Sequence, residues 1–166
     1  VGNDGETHQG VFDLSYLSHM PNMTILAPNT SKELEDALEY ALSLNSPVAI
    51  RYPKSQTQEQ PFVPLKEGLW RVICYGKRAN VLAVGPRMLS VALECAENIE
   101  GLGVISARTI KPLDKKVLLD IKDKPLIILE ENSQIGGFAS LVGDFYSQNK
   151  ITIKTLRFGV GDKFIK

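Results

Sequence analysis

The feature that most constrains the fold is an alternation, from residue 80 onwards, between short apolar runs and segments of helical periodicity. The segments between the runs carry apolar residues at helical spacing, and Pro86 and Gly137 mark where two of these helices begin. Strands that alternate with helices of about 10–15 residues imply a parallel sheet with right-handed crossovers. The sequence therefore predicts a compact α/β domain with a mainly parallel sheet over 67–166, with strands at 80–84, 102–107, 126–129 and 151–156.

A shorter α/β pattern occupies residues 1–54. Apolar runs predict strands at 23–27 and 48–52, and Thr30 and Glu33 have the spacing of a capping box at the start of a helix. That helix has a predicted apolar face made of Leu34, Ala37, Leu38, Ala41 and Leu42. Two strands and two helices make a small core, so this segment is predicted to be the end of another α/β domain.

Between the two patterns lies the only linker-like stretch of the sequence. Residues 53–66 contain three prolines and three glutamines and have little apolar periodicity. We therefore predict a linker at 55–66, which separates one domain at 1–54 from a second at 67–166.

Charge and composition exclude several classes of protein. The 19 basic and 19 acidic residues give a net charge of zero, which argues against binding to nucleic acid or to an anionic membrane. No apolar run approaches the roughly 20 residues of a membrane helix. Cys74 and Cys95 have no metal or disulfide spacing and are predicted to be reduced thiols of a cytoplasmic protein. With only two histidines, His8 and His19, a zinc site is not expected.

A polar, glycine-containing loop at residues 4–10 is the first candidate site. His8 could transfer a proton near neutral pH, and Asp4 could orient the hydroxyl groups of a substrate. Spacing alone also allows a structural interpretation, in which both residues only form turns and caps.

Two further candidates follow predicted strands. Arg51 lies at the end of the strand at 48–52, where a guanidinium could bind a phosphate or carboxylate; the alternative is a surface salt bridge. Glu130 and Glu131 follow the strand at 126–129 and could act as acid and base. For these two we favour a structural interpretation, in which the segment caps the next helix and packs at a domain or subunit contact.

Several segments together resemble a known family. DGETHQGVFDLSYLSHMPNMTILAP at the start, PVAIRYPK, TIKPLD at 109–114 and EENSQIGGF at 130–138 resemble the 1-deoxy-D-xylulose-5-phosphate synthases, a branch of the transketolase-like enzymes that depend on thiamine diphosphate. The resemblance covers nearly the whole chain. It implies the end of a pyrimidine-binding domain followed by a transketolase C-terminal-like domain.

The resemblance also implies a reaction and roles for three residues. Pyruvate and D-glyceraldehyde 3-phosphate would condense to 1-deoxy-D-xylulose 5-phosphate and CO2, in a homodimer of the cytoplasm or of a plastid-like compartment. Asp4 and His8 occupy positions where the family contacts substrate hydroxyls and the reacting oxygen, and Arg51 the position that binds the substrate phosphate. His8 is thus the expected catalytic residue.

The family's cofactor motif is missing from this sequence. The GDG…N motif that holds the diphosphate and Mg²⁺ does not occur here, so thiamine diphosphate and Mg²⁺ are expected to bind mainly outside this chain. The isolated chain is therefore expected to be inactive. The alternatives are a non-catalytic dimerisation or regulatory module, another transketolase-like enzyme, or a 2-oxoacid dehydrogenase beta subunit.

Overall fold

The computed structural model describes residues 5–54, 61–67 and 69–165, and its strands form two sheets. A three-stranded sheet, here called the small sheet, has the order β2-β1-β6, and a five-stranded sheet, the large sheet, has the order β3-β5-β4-β7-β8. The strands are β1 Thr24–Leu26, β2 Val48–Ile50, β3 Arg71–Cys74, β4 Ala79–Ala83, β5 Leu102–Ser106, β6 Thr109–Lys111, β7 Leu126–Ser133 and β8 Thr155–Val160.

The helices lie between these strands. They are α1 Asp13–Ser18, α2 Ser31–Ser43, α3 Pro86–Asn98, α4 Lys115–Asp120 and α5 Phe138–Gln148, with single 3-10 turns at Glu6–His8, Gly10–Phe12 and Leu65–Glu67. Asp114 caps α4 as a side-chain acceptor for the Val117 N–H at 3.1 Å. In the part of the chain that the structure describes, no helix has both the length and the apolar character needed to span a membrane.

The large sheet confirms the predicted α/β architecture. Four of its five strands, β5, β4, β7 and β8, run parallel to one another, as the alternating pattern predicts. One face packs on an extended core that includes Trp70, Phe138 and Tyr146, and the other packs against α3. Burial on both faces explains why β4, β5 and the first four residues of β7 are largely apolar.

Four elements differ from the sequence prediction. Strand β7 extends to Ser133, so Glu130 and Glu131 lie within this strand and do not follow it. The strands β3 and β6 were not predicted, and both are antiparallel to a neighbour, β3 to β5 and β6 to β1. The last strand is β8 at 155–160 rather than 151–156. Ile151 instead closes the end of α5, because its N–H donates to the Tyr146 carbonyl at 2.9 Å.

The helix α2 also departs from its predicted packing. The Thr30 hydroxyl accepts a hydrogen bond from the Glu33 N–H at 3.1 Å, as in a capping box, but the Glu33 carboxylate bonds to Asn29 and not to the Thr30 N–H. Leu38 and Leu42 are 51% and 87% exposed, so two of the five residues of the predicted apolar face are exposed. The buried core between α2 and the small sheet is small and consists of Leu26, Ala37 and Leu65.

Candidate functional site

Arg51 directly follows β2 and reaches across to the C-terminal part of the chain. Its backbone N–H continues the small sheet by donating to the Leu26 carbonyl at 2.8 Å. Its guanidinium Nη2 donates to the backbone carbonyl of Glu131, at the end of β7, also at 2.8 Å. Within the described residues Arg51 forms no ion pair, so the alternative of a surface salt bridge finds no support.

His8 ends the first 3-10 turn and is exposed. The next residue, Gln9, anchors this turn to the end of the chain: its side-chain oxygen accepts from the Ile165 N–H at 3.2 Å, and its amide nitrogen donates to the Ile165 carbonyl. Phe12 and Phe164 form an edge-to-face pair with ring centroids 5.6 Å apart, which reinforces the anchor. Asp4 lies outside the described residues.

The end of β7 connects both candidate elements. The Asn132 side-chain oxygen accepts from the Leu14 N–H at 3.1 Å, and its amide nitrogen donates to the Ser15 hydroxyl at 2.9 Å. The helix α1, which follows the His8 loop, is therefore held by the residue next to the one that holds Arg51. Arg51 and the segment that follows His8 thus contact adjacent residues of the same strand, β7.

Glu130 caps α5, as the structural interpretation predicts. Its two carboxylate oxygens accept hydrogen bonds from the backbone N–H groups of Phe138 and Ala139, at 2.8 and 3.0 Å. Burial raises the pKa of the Glu130 carboxyl above its ordinary value, while these two N–H donors and the charges of Arg51 and Arg157 act in the opposite direction. The Glu130 carboxylate therefore caps the N-terminus of α5.

Glu131 faces the other way, towards solvent. Its carboxylate lies 3.4 Å from Nη1 of Arg87, and the two side chains are 37% and 78% exposed. An exposed pair of this kind contributes about 0–1 kcal/mol. Glu131 therefore contributes to the candidate site through its backbone carbonyl, which accepts a hydrogen bond from Arg51, and not through its carboxylate.

A buried charge cluster was missed by sequence reasoning. Glu33 lies between Arg71 and Arg108, with Glu33 Oε1 at 3.7 Å from each guanidinium Nη1, and all three side chains are at most 5% exposed. Burial lowers the pKa of Arg108, and the Glu33 carboxylate opposes this shift. No sequence signal marks the cluster, because its members are far apart along the chain. It joins α2 to the segments that carry β3 and β6.

The described residues offer no ligand set for the Mg²⁺ that accompanies thiamine diphosphate in this family. No group of three or more His, Cys, Asp or Glu side chains in the described part of the chain could hold a metal ion. We therefore assign no step to these groups within this chain. A surface cleft of about 570 Å³ lies where α5 meets β8, near Lys150 and Arg157, and none of the predicted site residues lines it.

Comparison with known proteins identifies the family of the chain. Residues 1–60 match the family model for the transketolase pyrimidine-binding domain, and residues 68–166 match that for the transketolase C-terminal domain. The chain belongs to the transketolase family. It is 43% identical to the 1-deoxy-D-xylulose-5-phosphate synthase of Clostridium tetani and 39% identical to that of Aquifex aeolicus, over 99% and 100% of this chain. It spans 28% of the length of each of these two relatives.

A solved structure supports the same assignment. The protein described as a split gene transketolase, inactive beta4 tetramer, superimposes with a TM-score of 0.86 at 28% sequence identity. The match covers 97% of this chain and 56% of that one. The arrangement of the two sheets is therefore that of the transketolase family.

Proposed function

We propose that this chain is the part of a 1-deoxy-D-xylulose-5-phosphate synthase that recognises the phosphorylated aldehyde. The relatives that match it from end to end carry that name, which supports this branch over a 2-oxoacid dehydrogenase beta subunit or a non-catalytic module. The substrates are then pyruvate and D-glyceraldehyde 3-phosphate. The reaction forms 1-deoxy-D-xylulose 5-phosphate and CO2.

The environment of Arg51 is the observation that carries the proposal. A neutral carbonyl fixes one edge of the guanidinium, and no carboxylate of the described residues pairs with it. The positive charge and the other N–H groups thus remain available to a dianion. A guanidinium that is oriented but not neutralised is suited to a bidentate contact with phosphate.

His8 and Asp4 complete the proposed set. The exposed imidazole of His8 is proposed to move a proton to or from the reacting oxygen of the aldehyde, the role that histidine side chains most often take in general acid–base catalysis. Asp4 is proposed to accept hydrogen bonds from substrate hydroxyls. In the assembled enzyme, thiamine diphosphate with Mg²⁺ supplies the two-carbon transfer chemistry from the remaining domains.

We further propose that the assembled enzyme is a homodimer in the cytoplasm. The split-gene transketolase of matching fold is described as a tetramer, which supports self-association in this family. Cys74 and Cys95 are unpaired, as expected of a reducing compartment.

Replacing Arg51 in the assembled synthase tests the proposal. Arg51→Ala should raise the KM for D-glyceraldehyde 3-phosphate by about 10- to 150-fold, since a charge-assisted phosphate contact is worth about 1.5–3 kcal/mol. The KM for pyruvate should change far less, because pyruvate has no phosphate. Arg78→Ala, which removes an exposed arginine before β4, is the matched control and should leave both constants unchanged. Equal effects of Arg51→Ala on both substrates would contradict the assignment.

A further inference from the structure

The last four residues of β7, Glu130–Ser133, contact both candidate elements and are here called the tether segment. It lies in the C-terminal part of the chain, whereas the proposed substrate-binding residues lie in the N-terminal part. The Glu131 carbonyl binds the Arg51 guanidinium, and the Asn132 side chain binds α1. The tether segment is thus positioned to influence the site without touching the substrate.

The sheet itself does not fix the orientation of the Glu131 carbonyl. The pairing of β7 with β8 is regular up to Leu129 and resumes at Ser133, with an irregularity between them. Two side chains hold the intervening stretch instead, Glu130 on the N-terminus of α5 and Asn132 on α1. Glu130 is 3% exposed and Asn132 is fully buried, so neither bond competes strongly with water.

Two glycines show how tightly the tether segment is enclosed. A Cβ at Gly137 would come within 2.5 Å of the Glu130 carboxylate, and one at Gly159 within 2.8 Å of the Asn132 carbonyl oxygen. Both distances are shorter than van der Waals contact permits, so the absence of a side chain lets the backbone approach this closely. The surroundings therefore leave the tether segment little room to adopt a second conformation.

We propose that Glu130 and Asn132 are positioning residues for phosphate recognition, acting through the Glu131 carbonyl on Arg51. This inference rests on the proposed phosphate-binding role of Arg51. Asn132 in addition holds α1, and with it the chain that leads back to His8, in a fixed place relative to Arg51. An error of about 1 Å in the placement of such a group can cost as much as 100-fold in rate, so these buried contacts have a measurable effect.

The experiment uses Asn132→Ala in the assembled synthase. The measured quantity is the ratio of kcat/KM for D-glyceraldehyde 3-phosphate to kcat/KM for unphosphorylated D-glyceraldehyde, here called the phosphate preference. We expect Asn132→Ala to lower the phosphate preference by about 3- to 30-fold and to change the KM for pyruvate less than about 2-fold. In an Arg51→Ala background, the same substitution should lower the phosphate preference no further, because both act through one contact.

Ser15→Ala is a milder variant that keeps the test decisive if Asn132→Ala does not fold. It removes the hydroxyl that accepts from Asn132 and donates to the Ile135 carbonyl, at a helical position where alanine is favoured. It should lower the phosphate preference in the same direction by a smaller factor. Asn98→Ala, at an exposed position of α3 where the side chain donates to the Glu94 carbonyl, is the matched control and should leave the ratio unchanged.

The outcomes separate the inference from the proposed function. An unchanged phosphate preference in both Asn132→Ala and Ser15→Ala would overturn the inference, as would equal losses with the two aldehydes or a full additional loss in the Arg51→Ala background. If Arg51→Ala itself leaves the phosphate preference unchanged, the proposed function fails first. A normal loss with Arg51→Ala and none with the tether variants defeats the inference alone.

Discussion

The two sheets of this molecule differ in how far each depends on the other. The large sheet is built from β3, β4, β5, β7 and β8, which all come from the C-terminal part, and it has a core on each face. Two strands of the small sheet, β1 and β2, come from the N-terminal part, whereas the third, β6, comes from the C-terminal part. His8 and Arg51 thus belong to the region that takes one of its strands from the C-terminal part.

Further contacts strengthen that dependence. The Ala27 N–H donates to the Arg108 carbonyl at 2.7 Å, which extends the pairing of β1 towards β6. Within the C-terminal part, Trp70 is 4% exposed and its indole N–H donates to the Thr109 carbonyl at 2.7 Å, which holds β6 in place for that pairing. These buried contacts make the C-terminal part a scaffold for the small sheet. The comparison predicts that substitutions where the small sheet contacts the C-terminal part affect both the stability and the chemistry of the N-terminal part.

The largest expected effect concerns the cofactor. The isolated 166-residue chain should show no synthase activity and no tight binding of thiamine diphosphate, because its sequence lacks the GDG…N motif and its described residues form no metal-binding group. Isothermal titration of the chain with thiamine diphosphate and Mg²⁺ measures this directly. Stoichiometric binding in the micromolar range would show that the chain holds a cofactor site of its own.

His8→Ala in the assembled synthase should have the next largest effect. Loss of a general acid or base lowers kcat by about 10²- to 10⁴-fold, and the KM for each substrate should change much less. His19→Ala is the matched control, since His19 follows α1 and its ring nitrogen contacts the Ser15 carbonyl at 2.6 Å. An unchanged kcat in His8→Ala would support the alternative in which this histidine only forms the turn.

Glu33→Ala should lower the free energy of unfolding of the chain by about 3–5 kcal/mol. The substitution leaves Arg71 and Arg108 buried without the carboxylate between them, and an uncompensated buried charge is strongly destabilising. Urea unfolding followed by circular dichroism measures the change. Glu35→Ala, which breaks an exposed pair with Lys32, should change the same quantity by less than about 1 kcal/mol. Similar losses of unfolding free energy in the two variants would show that the buried cluster does not stabilise the contact between α2 and the C-terminal part.

Sequence reasoning succeeded where the structure is local. The strands β4 and β5 and the first half of β7 are buried apolar runs whose composition marks them, and the cap at Thr30 depends on two residues three positions apart. The placement of Arg51 at the end of a strand also follows from local pattern. These features need only neighbouring residues, so one sequence suffices to predict them.

The features that were missed depend on distant parts of the chain. Strand β6 has three residues beside a proline, and only its pairing with β1 makes it a strand. The shift of β8 has a similar cause, because the apolar residues Ile151 and Ile153 pack on the core beneath α5 instead of alternating in a sheet. The bond from Asn132 to Ser15 spans 117 positions and has no counterpart in any local pattern.

A crystal structure of the assembled synthase with D-glyceraldehyde 3-phosphate bound tests the central claim most directly. The account predicts that the phosphate contacts the Arg51 guanidinium while Nη2 of Arg51 keeps its hydrogen bond to the Glu131 carbonyl. It also predicts that the His8 imidazole lies within hydrogen-bond distance of the reacting oxygen. A phosphate bound away from Arg51, or an aldehyde that does not approach His8, would contradict it.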